Sequence, residues 1–259
     1  MKKETLIITI LFFIGQIHAQ SHIHLKEMVI SSDKSEQKRS EVANQIEIIK
    51  EADILNSQSS TTADLLEKKG NVFIQRSQLG GGSPVIRGFE ASRVLIVVDG
   101  VRMNNAIYRS GHLQNVISID NNMLERVEVV EGPGSLIYGS DALGGVMSFF
   151  TRKPKFSTEP EEKLYMRVGA ALQYASASQN RKMNFFINLG GKKFASYTNF
   201  TLSEFDNLRT GQNRAAREGD WGLNKTYVEW KNNKDTIIEN DKPWVLKNTA
   251  FRQYDLLQK

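Results

Sequence analysis

The carboxylates are the residues whose spacing most invites a catalytic reading. Asp99 ends the aliphatic run Val94-Leu95-Ile96-Val97-Val98, where α/β folds place catalytic acids, and Glu125, Glu128 and Glu131 recur at intervals of three. General acid–base work needs two such groups held on one side of a site. On a strand, a spacing of three scatters them over both faces, because successive side chains alternate. No acid–base pair follows. Asp99-Gly100 reads as a tight turn, since Gly accepts the positive φ that turns demand, and no histidine or nucleophile is placed to work with it. Gly80-Gly81-Gly82 and Gly139-Ser140-Asp141-Ala142-Leu143-Gly144-Gly145 have the glycine content of phosphate loops. Neither carries the P-loop lysine or lies in a repeated βαβ unit, so nucleotide binding is rejected. His22 and His24 make two imidazoles near the N-terminus, too few for a metal site. The chain has no cysteine, which removes disulfides, thiolate catalysis and Cys-ligated metal. No catalytic residue, metal or cofactor is assigned.

The elements that carry these residues are short. Val94 to Val98, apolar throughout and closed by Asp-Gly, predicts a strand buried on both faces. Pro84 to Phe89 and Leu124 to Gly134 are the segments expected to flank it. In the second, Val127 and Val129 alternate with Arg126 and Glu128, a half-buried strand with one charged face. Gln45 to Ile49, Val72 to Arg76 and Val146 to Thr151 are further strands. Thr61 to Gly70 has a Thr cap, an acid three residues on, bases in the last turn and a closing Gly, which predicts a short helix. Together these give an α+β domain of about a hundred residues.

The runs "PVIRGFEASRVLIVVDGVRMNN" and "LERVEVVEGPGSLIYGSDALGGVMSFFTRKP" resemble the plug domain of TonB-dependent outer-membrane receptors, the globular domain that fills a large β-barrel. The resemblance covers about residues 45 to 154. It implies an α+β plug, a small mixed sheet with short helices, followed by antiparallel transmembrane β-barrel strands.

The N-terminus is consistent with that address. Met1-Lys2-Lys3 is basic, Leu6 to Ile14 is an apolar run, and Ile17-His18-Ala19 ends in a small residue, so residues 1–19 read as an export signal. The run is shorter than the roughly 20 residues a membrane helix needs. Residues 20–44 are polar apart from a β-prone island, Glu27-Met28-Val29-Ile30-Ser31, which resembles the TonB box of the family. Such an island is suited to strand addition to a partner's sheet edge. The 34 basic residues are interspersed with 29 acidic ones, without a basic stripe, so the net charge of +5 does not imply nucleic acid.

After the linker at Lys153 to Glu162 the period changes. Leu164, Met166, Val168, Ala170, Leu172 and Tyr174 form one parity; Met183, Phe185, Ile187 and Leu189 form another. Soluble antiparallel sheets alternate as membrane barrels do, and the export signal favours the barrel. Residues 204–248 form a long polar stretch containing Trp221, Tyr227 and Trp230, expected as an extracellular loop, and Thr249 to Lys259 begins another strand. Three strands and part of a fourth cannot close a barrel, whose edges must pair in lipid. The sequence therefore reads as plug at 45–154 and the first strands of an incomplete, truncated barrel at 155–259.

From the resemblance come the remaining expectations. Arg87, Arg126, Glu128 and Glu131 form the polar contact set between plug and barrel. Gln78, Tyr108, Arg109 and His112, on outward plug loops, contact the ligand. The resemblance implies an importer energised by TonB and its inner-membrane complex, embedded in outer-membrane lipid. Its small-molecule ligand would be an iron siderophore, haem or cobalamin. An exported soluble plug-like binding module and an exported hydrolase using Asp99 or a glutamate are the alternatives.

Overall fold

A computed structural model of the protein describes residues 28–31, 37–39, 42, 44–76, 79–103, 114–157, 164–211 and 219–259. Two strand pairs and short helices surround a mixed sheet. β1 (Met28–Val29) pairs with β2 (Gln37–Lys38); β3 (Gln45–Lys50) runs into α1 (Glu51–Ser57), and α2 (Thr62–Lys69) follows. α2 starts as its sequence requires: the Thr61 side chain accepts from Asp64 N, Asp64 accepts from Thr61 N, and Gly70 N–H closes the end on Leu66 O. α1 was not anticipated, because its Glu51-Ala52-Asp53 start lacks a Ser or Thr cap; Asp53 instead accepts from the Lys50 backbone.

β4 (Phe73–Gln75) pairs with β5 (Ser83–Val85) in a separate ribbon. The segment from Pro84 therefore does not flank the central strand. Arg87 and Gly88 at positive φ turn the chain back so that Ile86 bridges Phe89. β6 (Val94–Val98), β7 (Val101–Arg102), β8 (Leu124–Glu131) and β9 (Gly145–Thr151) join β3 in a five-stranded sheet of order β3-β8-β9-β6-β7. Only β6 and β9 are parallel. Asp99 and Gly100, both at positive φ, form the two-residue turn between β6 and β7. A short α3 (Ser135–Tyr138) lies between β8 and β9.

β6 is apolar on both sides because both sides are covered. Val94 and Ile96 join one core with Ile49, Leu66, Val127, Val129 and Phe149, while Leu95 and Val97 join another with Val29, Ile46, Val130 and Val146.

Beyond the linker, β10 (Tyr165–Ala175), β11 (Asn180–Gly190), β12 (Ala195–Phe205) and β17 (Phe251–Gln258) form an open antiparallel sheet. Between β12 and β17 lie β13 (Leu208–Arg209), the hairpin β14 (Thr226–Lys231) and β15 (Lys234–Glu239), and β16 (Val245–Leu246), which pairs with β13. The large sheet is inverted relative to a soluble one. On β11 and β12 its polar parity is buried: Asn180, Asn199 and Thr201 are fully covered, and they face the plug side. Its apolar parity is exposed, with Leu172 at 79% and Leu256 at 70%. Register lines up Met166 with Leu189, Val168 with Ile187, and Phe185 with Phe200, making a continuous apolar band. Eleven residues at about 3.4 Å each, tilted near 40°, rise roughly 28 Å, enough for the apolar band of an outer-membrane barrel. Gly169 opposes Phe186, and a Cβ there would meet the ring at 2.4 Å, so the glycine makes room for the one aromatic on the inner parity of β11.

Candidate functional site

The island at residues 28–31 is docked on the plug. Val29 is fully buried in the second core, and the backbone N–H groups of Ile30 and Ser31 donate to Glu128 Oε2 at 3.0 and 2.9 Å. The Ser31 hydroxyl donates to the same oxygen at 2.7 Å. Glu128 is itself fully buried, and its other oxygen accepts from Arg126 Nε at 2.9 Å. Alternation had placed Glu128 on a charged outer face; the 28–31 segment covers that face, and four donors compensate the desolvated carboxylate. Burying one Val contributes about 1.5–3 kcal/mol, and each bond to a charged group about 1.5–3 kcal/mol. Ordering the segment costs about 1–2 kcal/mol per residue. Over three bonds and four residues, docking is thereby favoured by only about a few kcal/mol.

Among the described residues, the four residues expected to bridge plug and barrel pair with one another. Arg87 Nε meets Glu131 at 3.2 Å, Arg126 meets Glu128, and the Arg126 guanidinium carbon lies 4.0 Å from the centre of the Phe150 ring. All of these partners are in the plug, because β8 stands second from the edge of its sheet, beneath β3 and the docked segment. Glu27, Gln78, Tyr108, Arg109 and His112 lie outside the described residues, as do residues 1–19.

The described plug–wall contacts use other residues. Lys182, on the inner parity of β11, makes an ion pair with Asp120, and both are almost fully buried. Asp120 also accepts from Asn122 N at 2.8 Å and from Thr201 Oγ1 of β12 at 3.1 Å. Gln253 Nε2 of β17 donates to Ile117 O at 2.9 Å and to the Asp255 carboxylate. Gln173 reaches Gln58 O at 2.9 Å. The sequence carried a signal for half of this set: Lys182 continues the polar parity of Asn184 and Asn188. Asp120 had none, being one polar residue in an irregular stretch.

Asp99 is a further tie. It accepts from Thr151 N at 2.9 Å, Thr151 Oγ1 at 2.6 Å and Lys259 Nζ at 2.8 Å. Burial by itself would raise its pKa, but the bonds from Lys259 and Thr151 outweigh burial and hold the carboxyl below its ordinary 3.8. A depressed pKa contributes stability above the unfolded-state value that is lost as pH falls through the folded one. Acid unfolding followed from pH 5 to pH 2 should therefore show a shallower pH dependence in Asp99→Asn than in the parent. An unchanged slope would count against the tie. With its oxygens occupied in this way, Asp99 is an anchor and not an acid–base group. Among the described residues no three His, Asp or Glu side chains converge as a metal site.

Residues 38–146 match the family described as TonB-dependent Receptor Plug Domain. Over 186 residues, 70% of this chain, the sequence is 32% identical to the vitamin B12 transporter BtuB of Vibrio vulnificus (strain CMCP6), of which it spans 29%. The fold is similar to that of the FrpB iron transporter from Neisseria meningitidis (F3-3 variant). The TM-score is 0.60 at 14% identity, over 82% of this chain and 28% of that one. The ferripyoverdine receptor of the outer membrane of Pseudomonas aeruginosa gives 0.58 at 11% identity, over 89% of this chain and 33% of that one. At such identities the structural likeness is one of fold, and it takes in the plug sheet and the strands whose polar face the plug covers. The chain thus carries the plug domain of TonB-dependent receptors at residues 38–146, followed by strands that share the fold of the outer-membrane receptors named above.

Proposed function

We propose that this chain is the plug and first wall strands of an outer-membrane importer, with residues 27–31 as the box that TonB engages from the periplasm. The observation that carries the reading is the clasp: a β-prone segment held by Val29 and by three hydrogen bonds to a single buried carboxylate. Such a hold is strong enough to order the segment and weak enough to yield it for strand addition to a partner. The outward apolar band supports residence in lipid. Energy arrives through TonB and its inner-membrane complex, since no nucleotide-binding loop is present in the sequence. In this reading the plug occupies residues 45–154, the wall begins at 155, and residues 1–19 direct export. Gln78, Tyr108, Arg109 and His112 face the incoming ligand, a scarce nutrient of the iron-siderophore, haem or cobalamin class. The cobalamin arm is supported by the relative named a vitamin B12 transporter, the iron arm by structural neighbours named for iron and ferripyoverdine. No catalytic step belongs to this function.

Residues 1–259 contain no cysteine, so Met28→Cys supplies the one thiol of this segment, introduced in a full-length receptor whose other cysteines are replaced by serine. The expected result is a disulfide cross-link to a cysteine-bearing TonB periplasmic domain, in protein that fractionates with outer membranes, and loss of that cross-link when Val29-Ile30-Ser31 is replaced by glycines. A freely soluble protein, or a cross-link indifferent to the glycine replacement, would sink the reading.

A further inference from the structure

A recess of about 170 Å³ lies where the chain leaves the plug and meets the lower half of the wall. Four bases, Arg152, Lys153, Lys155 and Arg167, line it against two acids, Glu51 and Glu125. The linker side is strapped in place: Asn188 accepts from Lys155 N at 2.8 Å and donates to Lys155 O at 3.0 Å. Gly190 is what allows this approach, because a Cβ there would lie 2.1 Å from Lys155 O. Asn188 is thereby committed to the linker, and the recess keeps its shape without a ligand.

One buried donor in it is unanswered, and an exposed cation stands beside it. Arg152 gives one terminal nitrogen to Glu51 at 3.1 Å, but its Nε is buried with no hydrogen-bond partner. Arg167 takes part in no ion pair among the described residues; its guanidinium carbon lies 5.9 Å from the centre of the Phe186 ring, and that of Arg152 lies 5.7 Å from the same ring. A buried donor without an acceptor is costly, and the second cation at the same ring adds positive potential to the recess. An oxyanion answers the first and is attracted by the second. The remaining wall is flat and apolar: Tyr197 is 3% exposed, and its ring lies 6.0 Å from that of Phe186. The volume admits a carboxylate on one six-membered ring.

We propose that the recess at Arg152, Arg167 and Phe186 is a binding subsite for a small planar carboxylate. The Arg152 Nε and the Arg167 guanidinium donate to its oxygens, and Phe186 and Tyr197 cover its flat body. The binding chemistry is independent of the import reading; within that reading the recess lies toward the periplasmic mouth, where a ligand leaves.

Benzoate, acetate and inorganic phosphate are the probes, titrated by calorimetry into the purified full-length receptor in detergent, with no TonB present. Saturable benzoate binding is expected, at least tenfold tighter than acetate. It should weaken at least tenfold in Arg167→Gln, a wall residue with no ion pair to lose among the described residues, and in Arg152→Gln. Arg152→Lys, which keeps the charge and loses Nε, should weaken it as well. Unchanged heat-modifiable electrophoretic mobility of each variant checks that the barrel is intact. Absent benzoate binding, or binding equal in parent and Arg167→Gln, overturns the site; phosphate binding as tightly as benzoate overturns its assignment to planar carboxylates.

Discussion

Replacing Glu128 with Ala is expected to unclasp residues 28–31 and to destabilise the plug by about 3–5 kcal/mol, the usual cost of removing one partner from a buried charged network. The reason is the number of donors that converge there. Ile30 N, Ser31 N and Ser31 Oγ share Oε2, and Arg126 Nε takes Oε1. Without the carboxylate, the Arg126 guanidinium keeps only its stacking on Phe150, and the segment must either leave three donors unsatisfied or move into water. It will move, taking Val29 out of the second core and exposing Ile46 and Val130 beside it. Two measurements check this. A spin label at Met28, already half-exposed, should pass from ordered to mobile. A single cysteine at the buried position Ser148 should become reactive at lower urea. Ser31→Ala removes one of the three bonds and should give a partial version of the same change. An immobile label in Glu128→Ala would show that Val29 alone holds the segment, and the clasp would be discarded.

Lys182→Met should loosen the plug from its wall by a comparable amount, about 3–5 kcal/mol, because it strands Asp120 at a dry interface. Asp120 keeps bonds from Asn122 N and Thr201 Oγ1, but neither neutralises it. The Asp255 carboxylate, on the same inner face and bonded to Gln253, adds like charge nearby. Adding Asp120→Asn to Lys182→Met should restore most of the loss: the amide oxygen still accepts from Asn122 N, and no charge is left uncompensated. The readout is the urea midpoint for labelling Ser148→Cys in the full receptor. If single and double variants lose equally, the pair is not the contact that holds the plug at this strand.

Both effects sit where pattern reading stopped. Period-two alternation correctly separated Val127 and Val129 from Glu128 on β8, and Leu172 and Met183 from Gln173 and Lys182 on β10 and β11. It said which side was polar and no more, because alternation distinguishes two faces without saying what covers them. In β8 the cover is a segment about a hundred residues distant in sequence; in β11 it is the plug. The Arg–Glu pairs of the plug show the same gap. Arg87, Arg126, Glu128 and Glu131 were legible as a charged set, but their partners proved to be each other.

What the sequence determined by itself is whatever depends on neighbours along the chain. The Thr61 capping box and Gly70 terminus of α2, the Asp99-Gly100 turn, the doubly buried β6 and the parity of the wall strands all follow from local spacing, where backbone geometry alone sets which side chains meet. What only the tertiary structure decided is which buried polar group answers which. Glu128 with Ser31, Asp120 with Lys182 and Asp99 with Lys259 are joined across 97, 62 and 160 positions. A desolvated charge is satisfied by whichever donor the fold brings within about 3 Å, and no local rule of spacing encodes that choice.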